Sequence, residues 1–170
     1  MIANFRPLAG AHCQKKKAGK NPGTMIASNI DIALGDVMTR QPHSLSPMDP
    51  VERADQLCRE YHIHHLPVVD IYGKVIGMLS HSDLLKISYG LSLFRNHDPE
   101  RFNRTLFASV LVRDIMTRDV TVLDSADTIG EALAIFKLNK FHAIPIVERE
   151  LLVGIITPLD LLVTAFTNPI

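Results

Sequence analysis

One stretch of this chain occurs twice, and a duplicated unit restricts the possible folds more than any other property of the sequence. His64, His65, Leu66, Pro67, Val68 and Val69 lead through a polar turn to Gly77, Met78, Leu79, Ser80 and Asp83. His142, Ala143, Ile144, Pro145, Ile146 and Val147 lead in the same way to Gly154, Ile155, Ile156, Thr157 and Asp160. Sliding the sequence on itself by 78 positions places Asp36, Met38, Thr39 and Arg40 on Asp114, Met116, Thr117 and Arg118, and Pro67 on Pro145, without a gap. Beyond that the offset is 77, with Gly77 on Gly154 and Asp83 on Asp160. The missing residue falls in the turn, 70–74 against 148–150, where a change of length costs least.

Each copy has the periodicities of a strand, a helix, two strands and a helix. Asp49, Pro50 and Glu52 read as a helix start with Asp49 at the cap, and Val51, Ala54, Leu57, Cys58 and Tyr61 recur at helical spacing. In the second copy Asp127 takes the cap, and Ile129, Ala132, Leu133, Ile135 and Phe136 form the stripe. The runs 66–69 and 144–147 are short and continuously apolar, as in strands covered on both faces. Ser80 and Thr157 open the closing helices. This is an α/β (α+β) pattern of two tandem β-α-β-β-α repeats. Two helices cover only one face of each sheet, so the repeats are expected to pack sheet to sheet with pseudo-two-fold symmetry. The division is a basic, disordered arm over residues 1–30, one repeat over 31–91, a helical connector over 92–112, and a second repeat over 113–170.

Charge and cysteine content remove several functional classes. The chain has 170 residues with 18 basic and 18 acidic side chains, but Arg6, Lys15, Lys16, Lys17 and Lys20 all lie in the arm. The body is therefore mildly acidic, which argues against nucleic acid as the main partner. Cys13 and Cys58 have no metal-ligand or disulfide spacing and suit a reducing, cytoplasmic setting. No apolar run approaches the ~18 residues of a membrane span. Phosphate loops of the GxxxxGK[ST] or GxGxxG kind and a nucleophile turn are absent, so nothing in the sequence points to catalysis.

The repeated polar positions carry what chemistry there is. Ser80 with Asp83, and Thr157 with Asp160, have the spacing of a helix cap with a carboxylate at the third helical position, which structure alone would require. Capping does not explain Gly77 and Gly154, where glycine within a strand suggests a close approach to the backbone. A helix start with a hydroxyl and a carboxylate also offers amide donors to phosphate and an acceptor to sugar hydroxyls. His64 and His142 stand three residues before Pro67 and Pro145, where an imidazole can face a phosphate.

HHLPVVD followed by GMLSHSD, and AIPIVE followed by GIITPLD, each after a DVMTR or DIMTR segment, resemble a tandem pair of CBS domains, the arrangement called a Bateman module. The resemblance covers residues 36–167. It implies a regulatory module that binds an adenosine-containing ligand (AMP, ADP, ATP, NAD or S-adenosylmethionine) in a cleft between the repeats. It further implies a homodimer that does no chemistry of its own and modulates an attached or partner protein; with no catalytic or transporter domain read in the sequence, the partner is expected on a separate chain, and no membrane contact is expected. By motif, Asp83 and Asp160 would hold ribose hydroxyls, with Ser80, Thr157, Gly77 and Gly154 beside them. Ile63, Leu66, Pro67, Phe141, Ile144 and Pro145 would frame the adenine together with His43 and Val120. His64, His65 and His142 would face phosphate, though nucleotide-sensing members also use arginine at such positions and this chain has none there. His81 stands opposite Pro158, so the two clefts need not be alike. Two other readings compete: an interaction or dimerisation module with non-functional clefts, and a metal-binding module built on the histidines around His62, His64, His65 and His81.

Overall fold

The computed structural model describes residues 29–92, 105–139 and 141–167. Apart from its last two residues the expected basic arm lies outside the described residues, as do residues 93–104 of the expected connector. After a single 3-10 turn at Asn29–Asp31 come α1 (Leu34–Val37), β1 (Thr39–Arg40), α2 (Val51–Tyr61), β2 (His65–Val69), β3 (Val75–Ser80) and α3 (His81–Ser92). The second half holds α4 (Val112–Ile115), β4 (Leu123–Asp124), α5 (Ile129–Phe136), β5 (Ile144–Glu148), β6 (Leu151–Ile156) and α6 (Pro158–Thr167). The β-α-β-β-α order is thus present twice, with the first strand of the first half reduced to a bridge between Leu45 and Val68.

The antiparallel pairs β2–β3 and β5–β6 form the centre of each half, and both carry a register shift at the same place, between Val68 and Val69 and between Ile146 and Val147. Side chains alternate across a strand. Leu66 and Val68 join one core, packed with Ala54, Cys58, Leu79 and Leu84, and Ile144 and Ile146 join another, packed with Ile129, Ala132, Ile156 and Leu161. His65, Pro67 and Pro145 therefore occupy the opposite faces. The His65 ring lies 6.4 Å from that of His142, so those faces are turned to the other half. At the far end the hairpin turns meet. Lys74 bridges Leu151, the Leu152 amide donates to Gly73 O at 3.0 Å, and Lys74 Nζ pairs with Glu150 Oε2 at 3.2 Å. Gly73 holds a φ of +84°, a conformation that suits glycine in this turn.

The segments leading into each repeat are exchanged, which the sequence division did not anticipate. Residues 34–40 open the first repeat but pack on the second: Leu34 and Met38 lie in the second core, and β1 pairs with β6, Thr39 opposite Ile155. Residues 112–117 lead into and open the second repeat but pack on the first, with Val112 in its core and Thr117 bridging Met78. The backbone bonds repeat the exchange at the sequence offset. The Leu34 amide donates to Asp127 O at 2.8 Å as the Val112 amide donates to Asp49 O at 2.9 Å, and Gly35 to Ser125 O at 2.8 Å as Arg113 to Pro47 O at 3.0 Å. Arg40 closes its lead-in turn on Gly35 O, and Arg118 closes the other on Arg113 O.

Both helix caps expected at aspartates are shifted by one residue. Pro50 caps α2 without a side-chain bond, while Asp49 Oδ2 accepts from the Ser46 amide at 2.8 Å. Thr128 caps α5, its amide donating to Glu131 Oε2 at 2.8 Å, while Asp127 Oδ2 accepts from the Asp124 amide at 2.8 Å. In both copies the aspartate closes the turn before the helix, because the amide three residues earlier is within its reach.

Candidate functional site

Strand β3 ends at Ser80 and α3 begins at His81, so the sharp change of direction leaves the first amides of the helix without partners on the preceding turn. Asp83 and Asp160 act just ahead of these amides, each tying back the residue that precedes its helix. Asp83 Oδ2 accepts from the Ser80 amide at 3.1 Å and its hydroxyl at 2.5 Å, and Asp160 Oδ2 accepts from the Thr157 amide and hydroxyl, both at 2.7 Å. One oxygen of each carboxylate is therefore structural, and only the other is in a position to serve a ligand.

The outer oxygens differ. Asp83 Oδ1 accepts from Lys86 Nζ at 2.8 Å, and the Ser80 hydroxyl is shared with that of Ser82 at 2.7 Å. Among the described residues no side chain donates to Asp160 Oδ1. Burial alone would raise the Asp83 carboxyl, but the bonds from Lys86 and Ser80 outweigh it and hold the group below the usual carboxylate range.

Histidine rings pair at the start of α3 and across the two halves. His64 meets His81 edge to face at 5.8 Å, and the His81 amide donates to His64 O at 2.9 Å. Half-buried His65 faces His142. Burial lowers the His65 pKa, as do the neighbouring His64 and His142, with Asp83 opposing them. The unfolded chain then binds this proton more readily than the folded one, so the contribution of His65 to stability is complete above about pH 6.5 and falls as the pH drops towards the lowered value. His65→Gln is expected to flatten the loss of melting temperature between pH 7 and pH 5; an unchanged slope would show that His65 is not the group responsible.

The remaining expected residues separate by face. Leu66 and Ile144 are fully buried with their side chains in the cores, turned away from the other half, so only their backbone is available to a ligand. Pro67 and Pro145 are buried on the opposite strand faces, while Ile63, Val120 and Phe141 are half-buried. His43 is exposed and stacks on Tyr61 at 4.0 Å between ring centres. Gly77 and Gly154 lie on the core side, and the close approach they allow is made by the protein itself. A Cβ on Gly77 would meet Met116 Sδ at 2.5 Å and Thr117 O at 3.2 Å, and one on Gly154 would meet Met38 Cγ at 2.8 Å and Thr39 O at 3.1 Å. The two methionines of the repeated MTR motif are thus the partners of the two strand glycines.

Among the described residues no three His, Cys, Asp or Glu side chains form a metal-holding group, and no helix is long and apolar enough to cross a membrane. Burial and then Asp55 push the Cys58 thiol up to about 11, which keeps it protonated and poorly nucleophilic.

A duplicated hairpin-and-helix unit with exchanged lead-ins, facing its own copy across the His65–His142 pair, defines a module of paired repeats. The CBS domain family model matches residues 34–90 and again 112–165, and the chain belongs to that family as a tandem pair. An inosine-5'-monophosphate dehydrogenase from Methanocaldococcus jannaschii is 31% identical over 78% of this chain, and the match spans only 22% of that enzyme. Among solved structures, a Vibrio cholerae protein assigned to acetoin utilization is 29% identical with a TM-score of 0.66, covering 80% of this chain and 91% of that one. CBSX2 from Arabidopsis thaliana is 25% identical with a TM-score of 0.67, covering 79% and 94%. CBSX2 solved in complex with AMP is 26% identical with a TM-score of 0.64, covering 79% and 96%.

Proposed function

We propose that this CBS pair binds an adenosine-containing ligand in the groove between its halves and uses the bound state to regulate another protein, performing no chemistry itself. The observation that carries this reading is the Thr157–Asp160 pair, in which the cap consumes one carboxylate oxygen and leaves the other for a ribose hydroxyl. The histidines His64, His65 and His142 supply donors suited to phosphate. The structural relative solved with AMP supports the ligand class.

The closing helices give the reading its route to a second molecule. On α6, Leu159 is 65% exposed, Leu162 55% and Phe166 78%, and Leu85 on α3 is 40% exposed. Apolar side chains at such spacing suit a homodimer formed through these helices. Sedimentation at rising concentration tests the dimer.

A calorimetric screen of AMP, ADP, ATP, NAD and S-adenosylmethionine tests the ligand class. One of them is expected to bind and, at a hundredfold excess over its Kd, to stabilise the fold by about 2.7 kcal/mol. Silence from all five, with no shift in melting temperature, would favour an interaction module with non-functional clefts.

A further inference from the structure

The two repeats differ at the one atom that the proposed function needs. In the first, a chain of polar contacts runs from Ser82 through Ser80 and Asp83 to Lys86 and places a cationic donor on the outer carboxylate oxygen from within. In the second, Leu159 stands where Ser82 does and Val163 where Lys86 does, and neither side chain can donate to Asp160. Lys86 lies one turn after Asp83 on α3, so the helix itself delivers the ammonium to the outer oxygen. A sugar hydroxyl arriving at Asp83 must displace or share that partner, whereas at Asp160 it meets an oxygen bonded to no described side chain.

We infer that Lys86 makes the two clefts unequal, closing the sugar-binding carboxylate of the first repeat and leaving Asp160 as the primary site for a ribose-containing ligand. The inference rests on the reading that Asp83 and Asp160 accept ribose hydroxyls. The lysine side chain is 75% exposed, so the pair is screened by water and its effect is moderate. An exposed pair of this kind corresponds to about a two- to fivefold difference in affinity. A second consequence is chemical. A ligand at Asp83 has a cation beside its sugar, so the first cleft favours a more anionic ligand than the second.

Chains carrying Asp83→Ala or Asp160→Ala each keep one carboxylate and allow the clefts to be titrated separately with AMP. Asp83→Ala is expected to keep the tighter site, and Asp160→Ala to show binding about two- to fivefold weaker. Adding Lys86→Val to Asp160→Ala should recover that factor, and adding Val163→Lys to Asp83→Ala should lose it. Circular dichroism confirms that each chain is folded before titration. Equal affinities in the two single variants, or no response to Lys86→Val, would overturn the inference while leaving the ligand reading intact. AMP heat absent from every chain, the wild type included, would overturn both.

Discussion

Replacing Leu34 with alanine is expected to destabilise the protein by about 3 kcal/mol and to damage the half that the sequence places last. Leu34 is fully buried, and it lies in the core formed by Ile129, Ile144, Ile146, Ile156 and Leu161. Leu→Ala in such a site removes the transfer energy of the side chain and leaves a cavity that rigid strand packing cannot close. For a chain of this size the melting temperature should fall by about 6–12 °C. The location of the damage decides the matter, because local opening follows the contacts that are lost. Hydrogen exchange should accelerate in β5, β6 and α6 while β2, β3 and α3 stay protected. Faster exchange confined to the first repeat would refute the exchanged lead-in.

Gly154→Ala is expected to cost about 2 kcal/mol, opposite in sign to the usual benefit of replacing a strand glycine. The new Cβ would stand 2.8 Å from Met38 Cγ and 3.1 Å from Thr39 O. The thioether can swing aside, but Thr39 O belongs to β1, which is paired with β6 at this point, so the strain reaches the backbone. Met38→Ala should relieve the side-chain part of the clash. Each single variant destabilises, while the double variant should be better than the sum of the two by about 1 kcal/mol or more. Simple additivity in denaturant titrations would mean that the methionine and the glycine do not act as a pair. Gly77→Ala with Met116→Ala is the matching test in the first repeat, where the added Cβ meets Met116 Sδ at 2.5 Å.

The fold was legible because the chain repeats itself. Apolar periodicity placed α2, α5 and both hairpins, and the one-residue shift in offset marked the turn between β2 and β3. The exchange of lead-ins was not legible, for a physical reason. Residues 36–40 and 114–118 match each other at the repeat offset, so they resemble the first element of the repeat they precede, and no local preference records which sheet a two-residue strand joins. The strand glycines did signal a close approach. Identifying Met38 and Met116 as the approaching groups required knowing that the lead-ins cross over. The capping role of Asp83 and Asp160 could be read from the spacing, but the partner of the outer oxygen could not. Lys86 stands three residues after Asp83, a common helical spacing, and only the structure shows its ammonium on the outer oxygen at 2.8 Å.

Asp83 and Asp160 carry the proposed function, and removing both carboxylates together tests it most directly. A chain with Asp83→Ala and Asp160→Ala should lose about 1 kcal/mol per cap and remain folded by circular dichroism. Titrated calorimetrically with AMP beside the wild type, the double variant is expected to give no binding heat where the wild type gives a saturable one. Saturable AMP binding of undiminished affinity in the folded double variant would contradict the assignment of these carboxylates to the sugar.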